Sequence, residues 1–140
     1  LLEKYKDSIV HETLDIDPHA TATYTADITK DTGIDSGRFD CVVLTEVLEH
    51  TKQPFDAIAE VRRLLRPGGV LLISTPFSLR IHGPYPDAWR ITEYGYKVLL
   101  AETFDFDVLE FSALERRGRP HFPIHHYAVA RRPLHEDHEL

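Results

Sequence analysis

Residues 39–74 read FDCVVLTEVLEHTKQPFDAIAEVRRLLRPGGVLLIS. Residues 39–44 carry a continuous apolar run after Asp40. Runs of this kind belong to strands covered on both faces, as in parallel sheets flanked by helices. Pro54 sits where a helix begins, because its missing N–H is not needed there. Phe55, Ile58, Val61 and Leu65 follow at spacings of three, three and four, which places them on one helix face. Pro67, Gly68 and Gly69 stop that helix. Residues 70–74 make a second buried strand. Strand, helix, strand is a βαβ unit, with a parallel pair and a right-handed crossover.

Outward from this unit the pattern continues. Residues 92–102 predict a helix with Val98, Leu99 and Leu100 as its apolar part. Residues 106–111 and 126–130 predict two strands joined by a basic, proline-bearing loop. That connection has no helical period, so the last two strands form an antiparallel hairpin. Upstream, residues 11–16 predict a short strand ending in Asp15 and Asp17, with Pro18 barring its continuation. Residues 21–28 are threonine-rich and suit a strand. Residues 29–38 hold Gly33, Asp35, Ser36 and Gly37 and read as a loop. Residues 1–6 resemble the last turns of a helix. No linker or repeat divides the chain, so residues 1–133 are read as one domain and 134–140 as a polar tail. The fold class is α/β: a Rossmann-like three-layer sandwich, its sheet mostly parallel with a C-terminal antiparallel hairpin.

Composition narrows the function. The 140 residues carry 23 acidic and 16 basic side chains, a net charge of -7. That balance argues against a general nucleic-acid binder, which shows a basic stripe. No apolar run reaches the roughly 20 residues that span a bilayer. The one cysteine, Cys41, excludes an internal disulfide framework and fits a reducing, cytoplasmic setting. The sequence contains no methionine, so it is read as processed or as part of a longer protein.

In open α/β sheets, ligands bind beyond the carboxyl ends of the strands. Those positions hold Asp15 and Asp17, then Asp27, then Thr45 and Glu46, then residues 75–77. An acid after the second strand of a nucleotide-binding half accepts hydrogen bonds from ribose hydroxyls. Turn chemistry explains any one of these acids, taken alone, better than a ligand does; their succession at strand ends favours a ligand.

The phrase FDCVVLTEVLEH, then Pro54 and its helix, then LLRPGG and VLLISTPF resembles the class I S-adenosylmethionine-dependent methyltransferases. The resemblance runs from about Leu14 to Arg131. It implies S-adenosylmethionine as cofactor and S-adenosylhomocysteine as product. It implies that Asp15, with Ile16 beside it, binds ribose. It assigns Asp27 and the backbone N–H of Ile28 to adenine, and Thr45 and Glu46 to the amino-acid part of the cofactor. Pro67, Gly68 and Gly69 match a structural turn. The family's first strand and its glycine-rich loop (Asp/Glu-x-Gly-x-Gly-x-Gly) have no match in these residues, so the chain is read as starting inside the family's first helix.

The long segment TPFSLRIHGPYPDAWRIT follows a strand's carboxyl end, where a loop supplies substrate contacts. His82 is the candidate general base, because its ordinary pKa of about 6.5 suits a proton acceptor near neutrality. Arg90 suits a carboxylate or phosphate, Trp89 a stacking wall, and Asp87 a substrate contact. The competing reading is a loop-organising network: Asp87 paired with Arg90, His82 bonded to backbone, Trp89 packed. His50 reads as packing near a turn. The nine histidines match no metal-site spacing, including the late group His121, His125, His126, His135 and His138, so no metal is assigned. Arg116, Arg117 and Arg119 read as a solvated loop.

The expected function is methyl transfer to a small polar acceptor by in-line displacement. The alternative is a non-catalytic methyltransferase-like module acting through a partner. No nucleic-acid or membrane partner is expected, and the oligomeric state is left open.

Overall fold

The computed structural model describes residues 8–134. The helix end expected over residues 1–6, the tail residues 135–140 and two of the late histidines, His135 and His138, lie outside the described residues. Six strands and two helices follow in chain order: β1 (Leu14–Asp15), β2 (Tyr24–Thr25), β3 (Phe39–Thr45), α1 (Pro54–Leu64), β4 (Leu65–Pro76), α2 (Glu93–Tyr96), β5 (Asp107–Arg116) and β6 (Arg119–Arg131). A single 3₁₀ turn, Leu48–His50, links β3 to α1, and α2 runs on as a π-helical stretch, Lys97–Glu102. The expected βαβ unit is present: β3 and β4 pair in parallel, with Val42 opposite Leu71 and Leu44 opposite Ile73. The expected hairpin is present too, and β6 inserts between β4 and β5 in the order β3-β4-β6-β5. The architecture is α/β and Rossmann-like. β1 and β2 form a separate two-stranded parallel sheet, much shorter than residues 11–16 and 21–28 suggest.

Among the described residues the apolar run of β3 is covered on one face only. Alternation decides this: Leu44, Leu71, Ile73, Ala128 and Ala130 point to one side and join Ala57, Ile58 and Val61 of α1 with Tyr96, Leu99 and Leu100 around α2. Cys41, Val43, Leu72 and Tyr127 lie on the other side, and Val43 is 63% exposed. A strand's side chains alternate between faces, and among the described residues both helices pack on the same one. The sequence expectation of burial on both faces is corrected accordingly. The helix face also shifts. Phe55 is 44% exposed and leans toward Phe104, Leu65 belongs to β4, and Ala57 and Leu64 complete the buried side.

The basic, proline-bearing segment between the last two strands is strand rather than loop. The two arms extend to a tight turn in which Gly118 has a φ of +76°, a left-handed conformation that glycine adopts without strain. Gly69 serves a different need. A Cβ there would meet the Arg66 carbonyl oxygen at 2.8 Å and Leu65 Cδ2 at 3.1 Å, so only glycine lets the chain fold back into β4.

One buried polar cluster fastens the loop of residues 29–38 to α1. Glu60 accepts hydrogen bonds from the Thr32 N–H (3.0 Å) and Thr32 hydroxyl (2.6 Å) and from Arg63 Nη2 (2.6 Å) and Nε (2.8 Å). Arg63 also donates to the Ile34 carbonyl at 2.7 Å. Arg38 grips Glu12 through Nη2 at 2.6 Å and Nε at 3.0 Å, tying the segment before β1 to the start of β3.

Candidate functional site

Adjacent parallel strands end on the same side of a sheet. The loops that leave β3 and β4 therefore meet. The first runs Glu46–Val47 into the 3₁₀ turn; the second is the segment from Phe77 to Thr92. They are stitched by three bonds. Ala88 N–H donates to the Glu49 carbonyl at 2.7 Å, the Trp89 indole N–H donates to the Thr51 carbonyl at 2.9 Å, and His50 Nδ1 lies 2.9 Å from the Pro86 carbonyl.

Inside the second loop, Arg90 binds both oxygens of Asp87, at 2.5 Å and 2.9 Å, and also donates to the Trp89 carbonyl. The Asp87 side chain is fully buried and accepts the His82 backbone N–H at 2.9 Å. The Arg90 guanidinium holds the Asp87 carboxyl well below the usual carboxylate range, with the His82 amide adding to the effect. These are the contacts of a loop-organising network. Trp89 is 40% exposed, so one part of its ring faces outward while its N–H is engaged.

Between the two loops sits a cluster that the sequence reading did not single out as a unit. Glu49 is fully buried, and neither of its carboxylate oxygens has a hydrogen-bond partner among the described residues. His50 Nε2 lies 3.6 Å and His82 Nε2 3.8 Å from Glu49 Oε1. The two rings meet edge to face with centroids 4.9 Å apart. His82 Nδ1 is 3.1 Å from Asp87 Oδ2, close but off the line of a good hydrogen bond. Burial pushes the Glu49 carboxyl above the ordinary range, and the charge of Glu46 adds to this. The sequence held a signal for this cluster. Glu49-His50 leaves one parallel strand and His82 leaves its neighbour, so the topology brings them together.

The remaining expected positions are at strand ends. Asp15 closes β1, is exposed, and accepts the Asp17 N–H through Oδ1 at 2.8 Å. Ile16 is 67% exposed. Asp27 follows β2. Its Oδ1 accepts the Thr29 N–H at 3.0 Å and the Thr29 hydroxyl at 2.7 Å, which lower its pKa, and Lys30 stands 3.5 Å from Oδ2. Ile28 packs against the core. Thr45 ends β3 in an exposed position. Glu46 has a φ of +55°, unusual for a residue with a side chain. Its carboxylate accepts the Ser74 hydroxyl at 2.8 Å and lies 3.1 Å from His125 Nε2. Its late neighbour His126 is buried, with Nδ1 2.8 Å from the Ile91 carbonyl, in contact with Phe77 and Phe111.

The order β3-β4-β6-β5, with the antiparallel β6 inside the edge, frames these loops. Residues 4–73, half of the sequence, match the model of the methyltransferase domain family. This chain belongs to that family. S-adenosylmethionine is the family's cofactor. Over 82 residues the chain is 35% identical to a ubiquinone biosynthesis O-methyltransferase of Histophilus somni, a match covering 56% of this chain and 32% of that protein. The chain spans a third or less of the length of the curated relatives it matches. Among solved structures, a chain from the complex of the Haloferax volcanii Trm112 methyltransferase activator with a methyltransferase superposes with a TM-score of 0.71 at 16% identity, covering 98% of this chain and 78% of that one. A Burkholderia thailandensis 1,6-didemethyltoxoflavin-N1-methyltransferase, solved with S-adenosylhomocysteine, gives 0.57 at 22% identity, covering 77% of this chain and 49% of that one. At these identities the structural likeness speaks for the fold.

The strand-end carboxylates offer acceptors that fit a ligand with hydroxyl or amino donors. Asp15 keeps one carboxylate oxygen outside the Asp17 turn, and Asp27 stands at the next strand end. Among the described residues no helix is long and apolar enough to cross a membrane.

Proposed function

We propose that this domain transfers a methyl group from S-adenosylmethionine to a hydroxyl of a small polar acceptor. The observation that carries the reading is the meeting of two loops beyond β3 and β4, where a fully buried Glu49 and two imidazoles face one another beside strand-end acids. Asp15 and Ile16 hold the ribose, Asp27 and the Ile28 N–H hold adenine, and Thr45 and Glu46 line the amino-acid end. S-adenosylmethionine, when bound, supplies a methyl carbon on a sulfonium whose sulfur leaves uncharged, so little electrophilic help is needed. Most of the rate gain then comes from holding the acceptor oxygen in line and close, at roughly 3–3.5 Å.

His82 accepts the acceptor's proton. Its ring is set between Asp87 and Glu49. Asp87 and Arg90 serve the acceptor site by fixing the loop, and the outward part of Trp89 gives the acceptor a surface to lie on. One domain over residues 1–133 working in the cytoplasm fits this chemistry and the single cysteine.

Calorimetric titration of S-adenosylhomocysteine into the protein tests the cofactor half. We expect binding that Asp15→Ala weakens by about tenfold, the loss of a hydrogen-bonded pair to the ribose. Failure of the unaltered protein to bind overturns the enzyme reading and turns attention to a scaffold role through a partner.

A further inference from the structure

We propose that Glu49, His50 and His82 form a binding site for one divalent transition-metal ion, of the zinc or cobalt kind. The ion's role rests on the methyl-transfer reading and, with the ion bound, replaces His82 as the means of removing the acceptor's proton; the binding itself does not rest on that reading. The three ligand atoms lie within 4.8 Å of one another. A tetrahedral ion with bonds of about 2.1 Å sets its ligand atoms roughly 3.4 Å apart, so the cluster needs only a modest contraction.

Three observations point to an ion rather than to a simple ion pair. First, Glu49 is fully buried with both oxygens unpartnered among the described residues. A buried carboxylate in that state is strongly unfavourable, and a dication removes the penalty. Second, the His50 tautomer is set from outside and His82 has a carboxylate behind it. The Pro86 carbonyl can only accept, so the His50 Nδ1 beside it carries the proton and Nε2 presents its lone pair to the cluster. Behind His82, Asp87 Oδ2 stands 3.1 Å from Nδ1 without a hydrogen bond between them, and Arg90 in turn clamps Asp87. A carboxylate or carbonyl behind each imidazole is the arrangement that orients metal-bound histidines. Third, the Nε2 atoms stand 3.6 Å and 3.8 Å from Glu49, too long for the hydrogen bonds that two imidazolium rings would make to it.

Two imidazoles and one carboxylate suit zinc, cobalt or iron(II) better than magnesium or calcium, which favour all-oxygen sets. Three protein ligands leave a position open, as in catalytic rather than structural zinc sites. An acceptor oxygen taken there loses its proton more readily. His82 is then a ligand, and the proton leaves to solvent rather than to its ring.

The test uses the full chain, stripped of metal with a chelator. Cobalt(II) is added while visible absorbance is followed, and zinc chloride is titrated calorimetrically. One equivalent should bind, with the absorbance of a low-coordinate cobalt ion. Glu49→Gln and His82→Ala should abolish it, and Asp87→Asn should weaken it by about tenfold by removing the carboxylate behind the His82 ring. His135→Ala with His138→Ala should leave it unchanged. Circular dichroism and melting curves on each variant separate loss of the site from loss of the fold, and His50→Asn gives an independent removal of one ligand. Absence of binding, or binding that survives in folded Glu49→Gln and His82→Ala, overturns the proposal. S-adenosylhomocysteine titrated in parallel separates the two readings: a protein that binds cobalt but not the nucleoside sinks the methyl-transfer reading alone, and the converse sinks the metal site alone.

Discussion

Trp89 donates its indole N–H to the carbonyl oxygen of Thr51 at 2.9 Å, across 38 residues of sequence. One bond thus fastens the loop after β4 to the turn after β3, and the Glu49–His50–His82 cluster lies between the two. Trp89→Phe keeps the ring and deletes only the donor. We expect a loss of about 1 kcal/mol in urea unfolding, the usual net worth of one hydrogen bond, with the fold retained. An unchanged midpoint would mean that the loop is held without this bond.

The Asp87–Arg90 pair should matter more for loop order than for global stability. Asp87→Ala removes the acceptor for both Arg90 nitrogens and for the His82 amide at once. Trypsin should then cut after Arg80 or Arg90 several-fold faster than in the unaltered protein, with near-identical cleavage elsewhere. Equal cleavage rates would show that the loop's shape comes from other contacts. The pair was legible in the sequence because an aspartate and an arginine three apart in a proline-bearing loop invite such a bond. Its coupling to His82 was not legible, since the carboxylate's approach to the ring depends on how the loop folds back.

The βαβ core was readable because an apolar run, a proline at a helix start and Ile58 with Val61 on one helix face agree there. The ends of the stripe did not hold, since Phe55 is exposed and Leu65 opens β4. The helix stops at Leu64, with Pro67, Gly68 and Gly69 already inside β4. Which strand face would be buried was not readable from β3. FDCVVL is apolar at both parities, and only the placement of the helices divides Leu44 from Val43. Adjacent residues of β4 turn this into a test. Ile73 is 2% exposed and Leu72 is 37% exposed. Ile73→Ala should lower stability by about 2–5 kcal/mol through lost contacts and a cavity. Leu72→Ala should lose about 1 kcal/mol or less, because much of the side chain already meets solvent. Equal losses, measured by chemical denaturation, would place a covering layer over the second face. The Glu49–His50–His82 cluster escaped for a related reason. His82 lies 32 residues beyond His50, and no spacing rule joins it to Glu49 and His50 until strand order is known.

Acid should loosen the loop of residues 29–38 from α1. The Glu60 carboxyl sits at a pKa of about 2 against an ordinary 4.5, chiefly because Arg63 hydrogen-bonds it, with the Thr32 hydroxyl and N–H adding to the effect against the opposing pull of burial. A carboxyl whose folded pKa is depressed stabilises the fold fully above its unfolded value. That stability fades as pH falls from about 4.5 toward 2. At neutral pH the contribution is on the order of 2–3 kcal/mol for so buried a group. Glu60→Gln should therefore flatten the fall of urea midpoints over that acid window and should lower the midpoint at pH 7. A variant whose midpoints run parallel to those of the unaltered protein through the whole window would assign the acid sensitivity to other carboxylates.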